Sequence, residues 1–290
     1  MATVAEWVQG ARVRTLPNSV APVLVGAGAA GAVGAFSWGR TLLALLVALA
    51  FQVGVNYAND YSDGIRGTDA DRVGPLRLVG SGAAPASAVK AAAFACFGLG
   101  SLAGLALVAV AGTWWMISIG VVCVLGAWFY TGGKHPYGYS GLGEIAVFLF
   151  FGLVAVLGTQ FVQAGRVTWL GLAGAVAMGS FSAAILVANN LRDAPTDRVA
   201  GKHTLAVRLG ETRTRVLYEV LVAVPFAVSA AAAFVTPWAL VGLVAAALVV
   251  PAVRKVGGGQ TGLGLIPVLK ETGLAMLAWG VVTGVALGFS

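Results

Sequence analysis

Charge, cysteine and histidine are all scarce in this chain. Charged residues make up 10% of its 290 positions, against roughly a quarter in soluble proteins. That scarcity, in so apolar a chain, excludes a disordered protein, a coiled coil and an ordinary soluble enzyme. The two cysteines, Cys96 and Cys123, lie inside long apolar runs. There a thiol packs as a small apolar side chain, and no disulfide framework is implied. His135 and His203 each stand beside a lysine with no second ligand at zinc-binding spacing. No Walker loop and no G-x-G-x-x-G turn between strand and helix is present, which argues against nucleotide chemistry.

What the chain has is apolar length. Residues of the AVILMFWYC set reach 59% and mean hydropathy is +0.89, in long runs rather than the short alternating segments of a membrane barrel. The expected fold is therefore an all-α membrane protein, a single integral-membrane domain over residues 1–290. A hydrocarbon core of about 30 Å needs about 20 helical residues. Nine segments qualify: 15–36, 41–59, 88–112, 114–131, 142–163, 168–190, 215–235, 237–253 and 268–289, with Gly112-Thr113 and Thr236-Pro237 breaking the two tightest hairpins. Sixteen of the 18 Lys and Arg residues then fall on one side, and only Arg40 and Arg166 on the other. The positive-inside rule puts the N-terminus in the cytoplasm and the C-terminus outside. Basic loops beside anionic lipid account for the net charge of +7 without a nucleic-acid partner. Glu6, and Arg12 and Arg14 just ahead of the first run, do not fit a cleaved signal, so that helix is read as retained. Abundant Ala, Gly, Val and Arg point to a high-GC bacterium and hence to its cell membrane.

Two polar segments on the cytoplasmic side stand out, about 60–87 and 191–214, and they contain every aspartate of the chain. Asp60, Asp63, Asp69 and Asp71 fall in NYANDYSDGIRGTDAD (56–71), and Asp193 and Asp197 in NNLRDAPTD (189–197). On a helix, Asn56, Asp60 and Asp63 share a face, as do Asn189, Asp193 and Asp197 if the sixth helix runs past Asn190. Both clusters end helices that run inward, where the macrodipole disfavours carboxylates, so a compensating cation is expected. Oxygen donors without His or Cys suit Mg²⁺ or Ca²⁺, and Mg²⁺ completes its shell with water and substrate phosphate. Arg72, Arg77, Arg192, Arg198 and Lys202 can pair with phosphate oxygens. The parts describe a magnesium-diphosphate site at the cytoplasmic membrane surface. Gly64 and Gly67 predict that the helix unwinds after Asp63, which could return Asp69 to the site. Leu205, Val207, Leu209 and Val216 predict a short surface helix in the second segment.

At these residues the sequence resembles the UbiA superfamily of intramembrane prenyltransferases. The resemblance covers nearly the whole chain, through RTLPNSVAPVLVG (14–26), NYANDYSDGIRGTDADRVGPLR (56–77), YTGGKHPYGYSGLGE (130–144), VAVLGTQFVQAG (154–165) and NNLRDAPTDRVAGKHTLAVRLG (189–210). The GTD, RVGPLR and YTGG–GLGE stretches point to the branch that prenylates naphthoates. Asn59, Asp60 and Asp63 match the family's NDxxDxxxD, but Gly67 stands at its last position and Asp69 is displaced by two; Asp193 and Asp197 match DxxxD.

The resemblance implies a nine-helix bundle whose central cavity is capped by the two cytoplasmic segments and open sideways to lipid. It implies transfer of an isoprenoid from its diphosphate to 1,4-dihydroxy-2-naphthoate, with loss of diphosphate and of the ring carboxylate; within the superfamily the alternative acceptors are 4-hydroxybenzoate and homogentisate. Two Mg²⁺ held by Asn59, Asp60, Asp63, Asp69, Asp193 and Asp197 would neutralise the leaving group. Arg72 and Lys134 are expected on phosphate directly, with Asn56, Arg77, Asn189, Asn190, Arg198 and Lys202 around the substrates. Tyr57, Tyr61, Tyr130, Tyr137 and Tyr139 flank the site and offer π-faces to an allylic cation. Glu144 is the acid outside the loops placed for the aromatic acceptor. Gln160 and Gln163 read as interfacial polar groups at the opposite end, and the glycines of GAGAAGAVGAF (26–36) as helix-packing positions. A transporter would carry charge in mid-span, and these spans carry almost none.

Overall fold

A computed structural model describes residues 2–67 and 76–289, and the described residues form helices without strands. The first half comprises α1 (Val4–Ala11), α2 (Pro17–Gly31), α3 (Trp38–Arg66), α4 (Ala86–Ala111), α5 (Ile117–Phe129) and α6 (Gly143–Val147). A π-helical stretch, Phe148–Leu157, carries α6 into α7 (Gly158–Ala164). The second half comprises α8 (Trp169–Val199), α9 (Leu205–Leu209), α10 (Glu211–Ala232), α11 (Ala246–Gly257) and α12 (Ile266–Gly288). Short 3₁₀ turns lead into α5, α11 and α12.

Seven helical segments are long and apolar enough to cross a membrane. The remaining two predicted spans fall on shorter elements, Pro17–Gly31 and Trp114–Phe129. The first of these is a correction: 15–36 is not one helix. Arg12 in the left-handed region (φ 53°) closes α1, a 3₁₀ turn follows at Val13–Thr15, and α2 then starts at Pro17. Its 15 residues rise only about 22 Å. Both hairpin breaks fall where expected, with Gly112 at φ 70° ending α4 and Pro237 opening the turn into α11.

The two segments expected as loops are partly helical. α3 runs to Arg66, where Gly67 at φ 68° caps it, a conformation that suits glycine alone. α8 runs through Pro195 to Val199, so the continuation that the stacking of Asn189, Asp193 and Asp197 requires is present. The second segment holds the expected short helix at Leu205–Leu209, but Gly210 ends it and Val216 belongs to α10.

Small residues set the spacing between helices. A Cβ on Gly280 would sit 2.7 Å from the Ala21 Cβ, one on Gly284 would sit 2.6 Å from the Leu24 carbonyl oxygen, and one on Gly28 would collide with the Gly284 carbonyl. α2 thus lies backbone against backbone along α12, whereas on α3 and α4 the gaps at Gly54 and Gly100 are filled by the rings of Phe97 and Phe51. Gln160 and Gln163 are buried rather than interfacial. Gln160 Nε2 donates to Thr168 Oγ1 (2.7 Å), and Gln163 Oε1 accepts from the Ser37 N–H (2.8 Å) while Arg40 Nη1 donates to the Gln163 carbonyl (3.1 Å). These bonds tie α2, α3, α7 and α8 together at the end remote from the aspartates.

Gly28→Val should therefore lower stability by about 1–3 kcal/mol or more, because overpacking displaces backbone rather than a side chain. Thermal unfolding in detergent reads this, with Gly39→Ala, which meets open space, expected near wild type.

Candidate active site

Between these helices lies a cavity of about 1550 Å³. Its polar end is lined by Asn56, Asn59 and Asp63 of α3, by Arg77, by Tyr130, Thr131, Tyr137 and Tyr139, and by Asn189, Asn190, Arg192, Asp193 and Asp197 of α8 with Lys202. Its body is apolar, with Phe51, Phe150, Phe151 and Val154 among the walls, and it reaches Val23, Met116 and Val162 towards the other end. A water-poor tube capped by charge is a container for an apolar tail with an anionic head.

The sharing of one face by α3 residues places Asn59 and Asp63 into this end. Asp63 Oδ1 accepts from the Tyr139 hydroxyl and from Lys202 Nζ (3.4 Å), and Oδ2 accepts from Arg77 Nη2 (3.4 Å). Asn59 Oδ1 accepts from Thr131 Oγ1 (2.8 Å). On α8, Arg192 chelates Asp193 through Nε and Nη2, both at 2.7 Å, and Nη2 also reaches Asn189 Oδ1 at 3.0 Å. Lys202 stands 4.5 Å over the Tyr139 ring. Tyr137 donates to the Gly126 carbonyl (2.7 Å), and burial pushes its pKa up to about 12, so it remains a neutral donor through physiological pH.

The compensating cations at these helix ends are thus side chains. Asn59, Asp63, Asp193 and Asp197 nonetheless line one space with oxygen donors, and no described histidine lines it, a donor set that fits Mg²⁺. Among the described residues no three acids, histidines or cysteines are clustered to hold a metal unaided. That suits an ion that binds one or two carboxylates and takes its other ligands from water and substrate phosphate. Arg77, Arg192 and Lys202 can transfer from carboxylate to phosphate oxygen when such a complex binds.

Asp60 is placed differently. It is fully buried, and its two oxygens accept the backbone N–H groups of Leu78 (2.7 Å) and Val79 (2.9 Å), anchoring the turn that presents Arg77. Lys134 and Arg198 are exposed and do not line the cavity. Tyr57 donates to the Trp7 carbonyl (2.9 Å) and Tyr61 stacks on Trp128, both away from the cavity wall. Glu144 stands behind the wall, accepting from Asn190 Nδ2 at 2.9 Å. Asp69, Asp71 and Arg72 lie outside the described residues. Sequence reasoning passed over Arg12, Arg14, Asn18, Lys270 and Glu271, which also line the cavity. Lys270 and Glu271 were detectable as the charges inside the span 268–289.

Residues 19–257 match the UbiA prenyltransferase family. The chain is 58% identical to the 1,4-dihydroxy-2-naphthoate octaprenyltransferase of Mycobacterium tuberculosis, across 100% of this chain and 99% of that protein. It is 37% identical to the protein of the same description in Escherichia coli K12, across 92% and 89%. A UbiA homolog from Archaeoglobus fulgidus solved with GPP and Mg2+ shares the fold at a TM-score of 0.68 and 16% identity, covering 98% of this chain and 100% of that one. The apo UbiA homolog from Aeropyrum pernix K1 does so at 0.69 and 15%, over 93% and 96%.

Asp63→Asn and Asp193→Asn should each reduce Mg²⁺-dependent turnover by about a hundredfold or more while the proteins still purify, since the amide oxygen keeps a hydrogen-bond acceptor for Arg77 and Lys202 in the one case and for Arg192 in the other. Asp60→Ala should instead show itself in unfolding, losing about 1–3 kcal/mol for each stranded N–H. Metal-dependent turnover and melting measured on all three separate the two roles.

Proposed function

The chain belongs to the UbiA prenyltransferase family, and from that premise we propose that it transfers a polyprenyl group from polyprenyl diphosphate to 1,4-dihydroxy-2-naphthoate, releasing diphosphate and the ring carboxylate and giving demethylmenaquinol for menaquinone synthesis. The observation that carries the chemistry is the convergence of Asn59, Asp63, Asp193 and Asp197 on one end of a cavity whose body is largely apolar. The likeness over the full chain to naphthoate octaprenyltransferases supports the choice of acceptor.

When bound, Mg²⁺, two ions in this reading, supplies positive charge against the departing diphosphate. The chain's own residues do the rest. Arg77, Arg192 and Lys202 hold phosphate oxygens and fix the head group at the capped end. The apolar walls seat the isoprenoid and keep water from the allylic carbon as its bond to oxygen breaks. Tyr130 lines the cavity next to this end and offers its ring to that carbon, whereas Tyr139, whose ring carries Lys202, holds Asp63 through its hydroxyl. The electron-rich ring then attacks the allylic carbon, and the ring carboxylate leaves as CO₂ with its bonding electrons returned to the ring, so the exchange needs no strong base.

In the bilayer we place nine spans with the N-terminus and the aspartate end in the cytoplasm of a bacterium. Cysteine placed at Ala2 should then react with a membrane-impermeant maleimide only after the cells are opened, whereas cysteine at Phe289 should react in intact spheroplasts. The opposite pattern would reverse the orientation.

The activity is tested by product analysis on detergent-purified protein given Mg²⁺ and polyprenyl diphosphate, with dihydroxynaphthoate and 4-hydroxybenzoate in parallel reactions. A decarboxylated prenyl-naphthoquinol that disappears with EDTA is expected. Prenylated hydroxybenzoate alone would keep the site and replace the acceptor.

A further inference from the structure

The aspartate-lined end is not the only polar wall of the cavity. A second one is built where α2 and the turn before it pack on α12. The two helices run parallel, Ala21 against Gly280 and Leu24 against Gly284, and the 3₁₀ turn Val13–Thr15 touches α12 near its start. This brings Arg12 and Asn18 to the same wall as Glu271, and all three line the cavity.

Each of these side chains carries a buried polar atom without a hydrogen-bond partner: Arg12 Nη2, Asn18 Oδ1 and Glu271 Oε2. A stranded buried polar atom costs about 1–3 kcal/mol, and three on one wall of a cavity call for a ligand. Two further observations agree. Among the described residues Arg12 is the non-glycine residue held at positive φ (53°), a strained conformation of the kind that gathers at binding sites. Lys255 pairs with the other Glu271 oxygen, Oε1, near the start of α12, and ionisable groups within a predicted span mark function.

The unpartnered atoms are one cationic donor and two acceptors. A ring bearing one carboxylate and two hydroxyls presents the complement. We propose that Arg12, Asn18 and Glu271 form the polar half of the aromatic-acceptor subsite, Arg12 holding the carboxylate while Asn18 and Glu271 accept the hydroxyl protons. The proposal rests on the acceptor class named above. It moves acceptor recognition from Glu144, which stands behind Asn190, to the wall that α2 and α12 build.

The test varies the two substrates independently on the purified full-length protein. Glu271→Gln and Asn18→Ala should each raise KM for dihydroxynaphthoate about tenfold, as loss of one hydrogen bond does, and leave KM for polyprenyl diphosphate within about twofold. Asn18→Ala leaves the Lys255 pair intact, so it decides the matter if Glu271→Gln fails to purify. Fluorescence titration without diphosphate compares dihydroxynaphthoate with naphthalene-1,4-diol, which lacks the carboxylate. Wild type should prefer the naphthoate, and Arg12→Gln should abolish the preference. A rise in KM for the diphosphate with acceptor KM unmoved would assign this wall to phosphate and overturn the proposal, as would wild-type values in all three variants. Should wild type prenylate only hydroxybenzoate, the naphthoate reading falls, and the same KM comparison made with that acceptor still decides whether this wall holds the ring.

Discussion

Carboxylates can stand at the end of an apolar tube only if opposite charge stands against them, and most of the polar architecture of this protein follows from that requirement. Removing an ion from water costs several kcal/mol even after relaxation. Asp63 meets this with Arg77, Lys202 and the Tyr139 hydroxyl, and Asp193 with a chelating Arg192. Each pairing constrains a different segment. Arg77 is held by the turn that Asp60 anchors, Lys202 follows the end of α8, and Tyr139 sits in the connection between α5 and α6. The charge pairs therefore double as the ties that assemble the cap.

Such ties are also exchangeable. A guanidinium or ammonium group that neutralises a carboxylate in the free protein is already positioned for a phosphate oxygen, so binding a metal-diphosphate complex substitutes one set of ion pairs for another. Little solvent reorganisation is then needed within the cavity, which is the condition under which fixed charges stabilise a developing charge best. The hydrogen-bonded groups at the remote end have the opposite character. Gln160, Gln163 and Arg40 are bonded to fixed backbone and side-chain partners, and they hold the bundle together where no chemistry is needed.

Glycine connects these two ends. The approach of α2 to α12 requires hydrogen at Gly28, Gly280 and Gly284, and it is this packing that brings Arg12 and Asn18 beside Glu271. A residue type with no chemistry of its own thus positions a polar wall of the cavity. The sequence showed the small residues as a packing surface, but not which helix they faced.

What the sequence alone determined is what depends on local pattern. Hydropathy marked the apolar segments, helical spacing grouped Asn56, Asp60 and Asp63, and Asn189, Asp193 and Asp197, on shared faces, and the motif added Asn59. Gly67, Gly112 and Pro237 marked breaks where the backbone demanded them. Motif resemblance then led to the family. What only the tertiary structure decided are contacts between segments remote in the chain. Asp60 turned from the site to the N–H groups of Leu78 and Val79, Lys134 and Arg198 stayed outside, and Arg12 and Glu271 came in. Hydropathy and periodicity report how each residue sits on its own helix. Which charges meet is settled by the rotation and spacing of whole helices, through close contacts that no local pattern encodes.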